Sequence, residues 1–383
     1  MATNPLTLIA NFGQSVWYDN ISRSLVRDGE LKRLIAEDGV VGQTSNPNFF
    51  KEAIVGKTDY DDQMRELARQ GKNGDEIYEV LTTTDVRGAC DLFAPIYQRT
   101  NGHDGYVSIE VSPTLAHDTQ RTIAEARRLW SVVDRPNVMI KIPAAPEGIA
   151  AIKQALSEGI NVNVTLVFSI ASYRDVMNAY IEALEARVQR GEPVDRIASV
   201  GSFFVSRVDV AVDKMLDEKI TNASGTEKEK LQSLLGKAAI ANAKEAYHVF
   251  RETFSGPRWE ALAAKGAKVQ RPLWASTGAK NPAYRDILYA EELIGPDTVD
   301  TMGPPTIEAF RDHGQVRNSV EEDYPGAQRV LKELADAGID MAKVTQDLQD
   351  AGIKQFSDSF EAIMKDVRAK SEEFATAGAR AAD

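Results

Sequence analysis

Hydrophobic positions along the chain follow two alternating rhythms. Short apolar runs with period-two alternation predict strands, and longer stretches with an apolar stripe at helical spacing predict helices. One run is Val138-Met139-Ile140-Lys141-Ile142-Pro143-Ala144, reached through the turn Asp134-Arg135-Pro136-Asn137 and followed by Pro146. Alternation puts Met139, Lys141 and Pro143 on one face and Val138, Ile140 and Ile142 on the other. Further runs predict strands at 15–19, 39–47, 105–113, 161–168, 197–205, 272–277 and 298–302. In 105–113 the apolar set Val107, Ile109 and Val111 opposes Ser108, Glu110 and Ser112. Helical spacing covers 21–36, most of 48–104 with a break near 70–74, then 118–133, 147–158 and 170–190. It resumes to Phe254 with a polar interruption at 221–226, and returns from Thr306 onward.

Strands separated by helices imply a parallel sheet, because parallel neighbours need crossover connections. Eight such units predict an α/β fold, a closed (β/α)8 TIM barrel with extra helices. Residues 1–383 are expected to form one barrel domain, with 306–383 a helical C-terminal extension packed on it. A doubly wound open sheet is the alternative. Against it stand the lack of Gly-x-Gly-x-x-Gly after a first strand and the polar residues at inward parity in several strands.

Composition narrows the function classes. With 43% hydrophobic and 27% charged residues, the chain has ordinary globular material. A net charge of −12 argues against nucleic acid or an anionic membrane as the main partner. A local basic site still accommodates a phosphorylated small molecule. Cys90 is the single cysteine, which excludes an internal disulfide and fits a reducing cytosol. The start, MATNPLTLIANFGQ, lacks a basic n-region and a long apolar core, so no signal peptide is expected. His103, His117, His248 and His313 are scattered without zinc-site spacing. These features predict a soluble cytoplasmic protein without a metal.

Lys141 is the feature that composition leaves unexplained. Desolvation inside a strand disfavours the charged form and leaves an amine able to attack a carbonyl. A structural lysine, paired with a carboxylate or snorkelling to the strand end, is the alternative reading. In a barrel the active site lies at the C-terminal strand ends, where the polar residues are Asp19, Asn46, Glu110, Lys141, Asn163, Thr165, Ser202 and Ser276. Singly, each has a structural reading: Asp19 as a helix cap, Asn46-Pro47 as a turn, Ser276-Thr277 as a loop. Together they read as a Schiff-base site, with Asp19 or Glu110 moving protons during carbinolamine formation and carbon–carbon cleavage. Arg207 beyond the sixth strand and Lys280 in Ser-Thr-Gly-Ala-Lys-Asn-Pro add the makings of a phosphate cradle. Pairing of Arg207 with Asp209 or Asp213 on its own helix is the alternative. Glu227-Lys228-Glu229-Lys230 reads as a solvated helix face.

The combination resembles the transaldolase family, from about Trp17 to Met302. The stretches that carry the resemblance are Trp17-Tyr18-Asp19, Thr44-Ser45-Asn46-Pro47, Ser108-Ile109-Glu110-Val111, Ile140-Lys141-Ile142-Pro143, Gly159-Ile160-Asn161-Val162-Asn163-Val164-Thr165-Leu166 and Gly201-Ser202-Phe203-Phe204-Val205-Ser206-Arg207. The resemblance implies cofactor-free transfer of dihydroxyacetone between sugar phosphates through a lysine Schiff base. It assigns Lys141 as the lysine, Asp19 as general acid/base, and Glu110 with Thr165 as the pair holding a catalytic water. Asn46 and Asn163 then bind the intermediate, and Ser202, Arg207, Ser276 and Lys280 contact phosphate. The loop 276–281 departs from the Ser-Phe-Arg pattern of shorter members, and the chain is longer, as in a long bacterial branch. A monomer and a homodimer are both compatible with it. Fructose 6-phosphate aldolases, the small relatives that release free dihydroxyacetone, lack the glutamate and carry tyrosine where Phe204 stands. A sugar-phosphate binding barrel without activity is a further alternative, which the presence of both Lys141 and Asp19 disfavours.

Overall fold

The computed structural model of the protein describes residues 4–55 and 57–380. Eight parallel strands close into a barrel: β1 (Gln14–Asp19), β2 (Gly42–Thr44), β3 (Val107–Glu110), β4 (Val138–Pro143), β5 (Val162–Val167), β6 (Ser199–Phe204), β7 (Arg271–Ala275) and β8 (Thr298–Met302). Each strand pairs with its neighbour in sequence, and β8 pairs with β1 from Gln14 to Tyr18. The (β/α)8 expectation therefore holds, and every predicted strand is present. Among the described residues no helix is long and apolar enough to cross a membrane.

Helix boundaries differ from the sequence reading where a local group competes with the helical ladder. The segment 21–36 divides into Arg23–Arg27 and Glu30–Glu37 at Gly29, whose φ of 93° suits only a residue without a Cβ. Ser22, not Asp19, caps the first of these helices. The stretch 206–254 forms three helices, Ser206–Asn222, Gly225–Gln232 and Ala238–Thr253. The second break, which the polar interruption did not announce, arises where two carboxylates take backbone N–H groups. Asp213 accepts from Gly236 at 3.0 Å and Asp209 from Ala239 at 2.7 Å. The helical extension expected beyond 306 is present as three helices, Pro304–His313, Tyr324–Asp336 and Met341–Arg380.

Two features direct the site to the C-terminal ends of the strands. At the opposite end, Arg271 donates to Asp104 at 2.9 Å and to Ser15 at 2.7 Å, while Ser15 donates to Asp104 at 2.8 Å. This buried network satisfies its own charges and closes that end. At the C-terminal ends the last helix, Met341–Arg380, lies across the barrel mouth. Gln349 Nε2 donates to the carbonyls of Ala144 and Leu166, each at 3.0 Å. Leu166 has a φ of 60° within a register shift of β5, and a Cβ on Gly352 would stand 2.9 Å from its side chain. Farther along, Phe360 meets Tyr78 edge-on and Arg368 pairs with Asp75 at 2.6 Å.

Candidate active site

Lys141 is 5% exposed near the centre of the mouth. The strand register sets Glu110 beside Lys141 and Lys141 beside Asn163, so all three side chains point inward in one row. Lys141 Nζ donates to the Ser45 carbonyl at 3.1 Å and lies 3.2 Å from Glu110 Oε2. The latter is an ion pair by distance, but its alignment leaves both Glu110 oxygens without a directed hydrogen bond. Burial raises the Glu110 pKa, the Lys141 ammonium opposes the rise, and Asp19 adds to it. Thr165, wholly buried, likewise has no protein partner for its hydroxyl. These atoms are available to a water or a substrate hydroxyl.

Asp19 ends β1 and faces the same space. Its Oδ1 accepts from Thr44 Oγ1 at 2.5 Å, and the Thr44 and Thr301 hydroxyls lie 2.6 Å apart. Because Thr44 gives its proton to Asp19, the proton between the threonines belongs to Thr301. Burial raises the Asp19 pKa, while Lys141, Thr44 and Lys280 pull it back. Beneath Lys141, Ser202 donates to Asn163 Oδ1 at 2.7 Å and Asn163 Nδ2 to Ser108 at 3.0 Å. A polar floor thus runs from β6 through β5 to β3.

A cavity of about 520 Å³ opens above these groups. It brings together Asp19, Asn46, Lys141, Thr165, Ser202, Arg207, Ser276 and Lys280 of the residues singled out from sequence. Glu110 and Asn163 are not on its surface: Glu110 borders a second cavity of about 180 Å³ under the last helix, and Asn163 lies in the floor. Asn46 Oδ1 caps the helix Pro47–Ile54 by accepting from Asn48 and Phe49, so the turn reading and the wall position coexist. Ser276 has a φ of 59° and lies 3.0 Å from the Ser206 hydroxyl.

Arg207 does not pair with Asp209 or Asp213. Tyr289 donates to Asp209 at 2.8 Å and Tyr284 to Asp213 at 2.7 Å, so both carboxylates are engaged elsewhere. Arg207 instead lies 5.5 Å above the Phe204 ring and donates to Gln355 Oε1 at 3.0 Å. Burial lowers its pKa, and no carboxylate offsets that shift. A cation facing a cavity with only a neutral acceptor is suited to an anion.

Sequence reasoning missed Gln355 and Phe356. Phe356 is 4% exposed, lines the cavity, and has its ring centroid 5.6 Å from Lys141 Nζ. The apolar spacing of a helix announces a buried face but not which barrel strands it covers. Thr44 as the partner of Asp19, and Thr301 behind it, were also missed, although both sit at strand ends with inward parity.

Fold and site define a barrel enzyme built around a buried amine. The chain belongs to the transaldolase/fructose-6-phosphate aldolase family, whose family model matches residues 16–367. It is 48% identical over 373 residues to a protein named Transaldolase from Trichodesmium erythraeum, covering 97% of this chain and 98% of that one. Against the Transaldolase of Acidothermus cellulolyticus the identity is 50% over 359 residues, 94% of each chain. Against that of Thiobacillus denitrificans it is 48% over 359 residues, 94% of this chain and 98% of the relative.

Proposed function

We propose that the protein transfers a dihydroxyacetone unit from sedoheptulose 7-phosphate to glyceraldehyde 3-phosphate, giving erythrose 4-phosphate and fructose 6-phosphate. The setting is the pentose phosphate pathway of the cytoplasm. The observation that carries this reading is Lys141, a buried amine 3.2 Å from Glu110 that opens onto the same cavity as Asp19. Barrel and C-terminal helices act as one catalytic unit.

The Lys141 amine attacks the ketose C2 carbonyl, and loss of water gives the protonated imine. Asp19 takes the C4 hydroxyl proton as the C3–C4 bond breaks and the aldehyde product leaves. The electron pair stays on the three-carbon unit as an enamine of Lys141. Attack on the acceptor aldehyde reverses the step, with Asp19 returning the proton to the new hydroxyl. Water then hydrolyses the imine and frees the amine, with Glu110 and Thr165 holding that water. Asn46 and Asn163 hold the sugar hydroxyls, Asn163 once its amide leaves Ser108 and Ser202, and Ser202, Arg207, Ser276 and Lys280 hold the phosphate. Ser202 donates to Asn163, so a phosphate contact requires its hydroxyl to turn toward the cavity.

Release of dihydroxyacetone, the aldolase alternative within the family, shares every step up to the enamine. Phe204 on the cavity wall has no hydroxyl with which to orient hydrolytic water, which favours transfer. The test is borohydride reduction in the presence of fructose 6-phosphate, peptide mapping, and turnover assays with and without erythrose 4-phosphate. An adduct on Lys141 with turnover only when acceptor is present is expected. Steady dihydroxyacetone release would assign the protein as an aldolase, and absence of any adduct would remove the covalent mechanism.

A further inference from the structure

The last helix presents one stripe to the barrel mouth: Gln349, Gly352 and Phe356, at helical spacing. The first two fasten the stripe. Gln349 bridges the chain at the ends of β4 and β5 through Ala144 and Leu166, and Gly352 abuts Leu166. One residue before Phe356, Gln355 accepts from Arg207 across the cavity rim. Phe356 is therefore held on both sides, with its ring over Lys141 Nζ at 5.6 Å and its edge on the cavity.

We propose that Phe356 is a further catalytic residue, a roof over the nitrogen of the lysine adduct that favours transfer over release. The proposal rests on the Schiff-base reading of Lys141. Its physical basis is twofold. The protonated imine carries a positive charge on the nitrogen, and a ring within about 6 Å of a desolvated cation stabilises it. The same ring excludes water from the bound three-carbon unit. Release requires protonation of the enamine carbon and then attack of water on C2, which returns the Lys141 amine and liberates dihydroxyacetone. Transfer needs the acceptor aldehyde to capture the enamine first, and water then hydrolyses the imine of the product. A ring that stabilises the charged adduct and shuts out water while the three-carbon unit waits therefore slows release before capture, whereas hydrolysis of the product imine follows capture.

Phe356→Ala and Phe356→Leu separate the two effects, because leucine retains apolar bulk but has no ring face. The readouts are dihydroxyacetone release without acceptor, transfer to erythrose 4-phosphate, and the fraction of Lys141 trapped by borohydride. For Phe356→Ala the ratio of release to transfer should rise severalfold, because water then reaches the bound three-carbon unit. For Phe356→Leu release should stay near the parent value while adduct occupancy at a fixed fructose 6-phosphate concentration falls. Adduct formation also reports that each variant has folded. An unchanged release-to-transfer ratio in Phe356→Ala, with adduct still forming on Lys141, overturns the roof and leaves the covalent mechanism intact. No adduct in the parent protein removes the reading beneath it.

Discussion

The Thr44 hydroxyl donates to Asp19 Oδ1 at 2.5 Å, and Thr301 stands 2.6 Å behind it. That donation stabilises the ionised carboxylate against burial, which raises its pKa. On the proposed mechanism Asp19 must be ionised to accept the C4 hydroxyl proton. Thr44→Val removes a donor to the charged form, so the acid limb of kcat/KM should move to higher pH. Activity on that limb should fall by about tenfold, the scale of one charge-assisted hydrogen bond. Thr44→Ser should restore the parent profile. A Thr44→Val profile superimposable on the parent would detach Asp19 from the proton transfer.

The Lys141–Glu110 pair makes a stability prediction with a definite pH sign. Lys141 is the largest influence opposing the burial-driven rise of the Glu110 pKa. Lys141→Ala therefore raises the folded-state value further. A carboxyl with a raised folded pKa costs nothing when both states are protonated, and its cost accrues as pH climbs from the unfolded value toward the folded one. The deficit of Lys141→Ala should be small in acid and reach about 3 kcal/mol above neutrality. Urea denaturation of both proteins at pH ~5 and ~8 reads this directly. A deficit that shrinks with rising pH would contradict the pairing.

Gln355 offers Arg207 an acceptor without a charge. Gln355→Glu puts a carboxylate where it competes with a phosphate dianion for the guanidinium. The KM for fructose 6-phosphate should rise about tenfold with kcat little changed. The kcat/KM for glyceraldehyde 3-phosphate as acceptor should fall likewise, and that for unphosphorylated glyceraldehyde should not. Equal losses on both acceptors would mean that Gln355 serves the helix and not the phosphate end.

Asp300, wholly buried on β8, is pushed up to about 7 by burial although Thr277 donates to its Oδ1 at 2.8 Å. Its other oxygen has no protein partner. By the same sign argument, this group lowers stability progressively between pH ~4 and ~7, by up to ~4 kcal/mol. Asp300→Asn keeps an acceptor for Thr277 and abolishes the titration. Its stability should be flatter than the parent's across that range, as measured by urea midpoints. Parallel curves would show that Asp300 ionises normally.

The barrel was legible because strand alternation and helical spacing are local properties, and each strand carries its own signal. The inward parity of Asp19, Glu110, Lys141 and Thr165 followed from the same alternation. Contacts made across the fold were not legible. Nothing near Arg207 in sequence reveals that Asp209 and Asp213 are committed to Tyr289 and Tyr284, or that Gln355 faces the guanidinium. Phe356 was hidden for the same reason: an apolar residue on an amphipathic helix reads as core until its partner strands are known. Asn163 was assigned to the sugar, yet it also ties Ser202 to Ser108, a floor that parity predicts only as polar and inward.

The helix across the mouth has a consequence for biosynthesis. All eight strands are complete by Met302, whereas Gln349, Gln355 and Phe356 follow well after them. Chains fold as they are made, earlier segments first. A nascent chain can therefore close its barrel with Lys141 already in register beside Glu110, yet still lack the segment that roofs the amine. Until that helix docks, the amine lacks the Phe356 ring that stands 5.6 Å from it in the finished fold, so on the proposed mechanism the last helix completes the site.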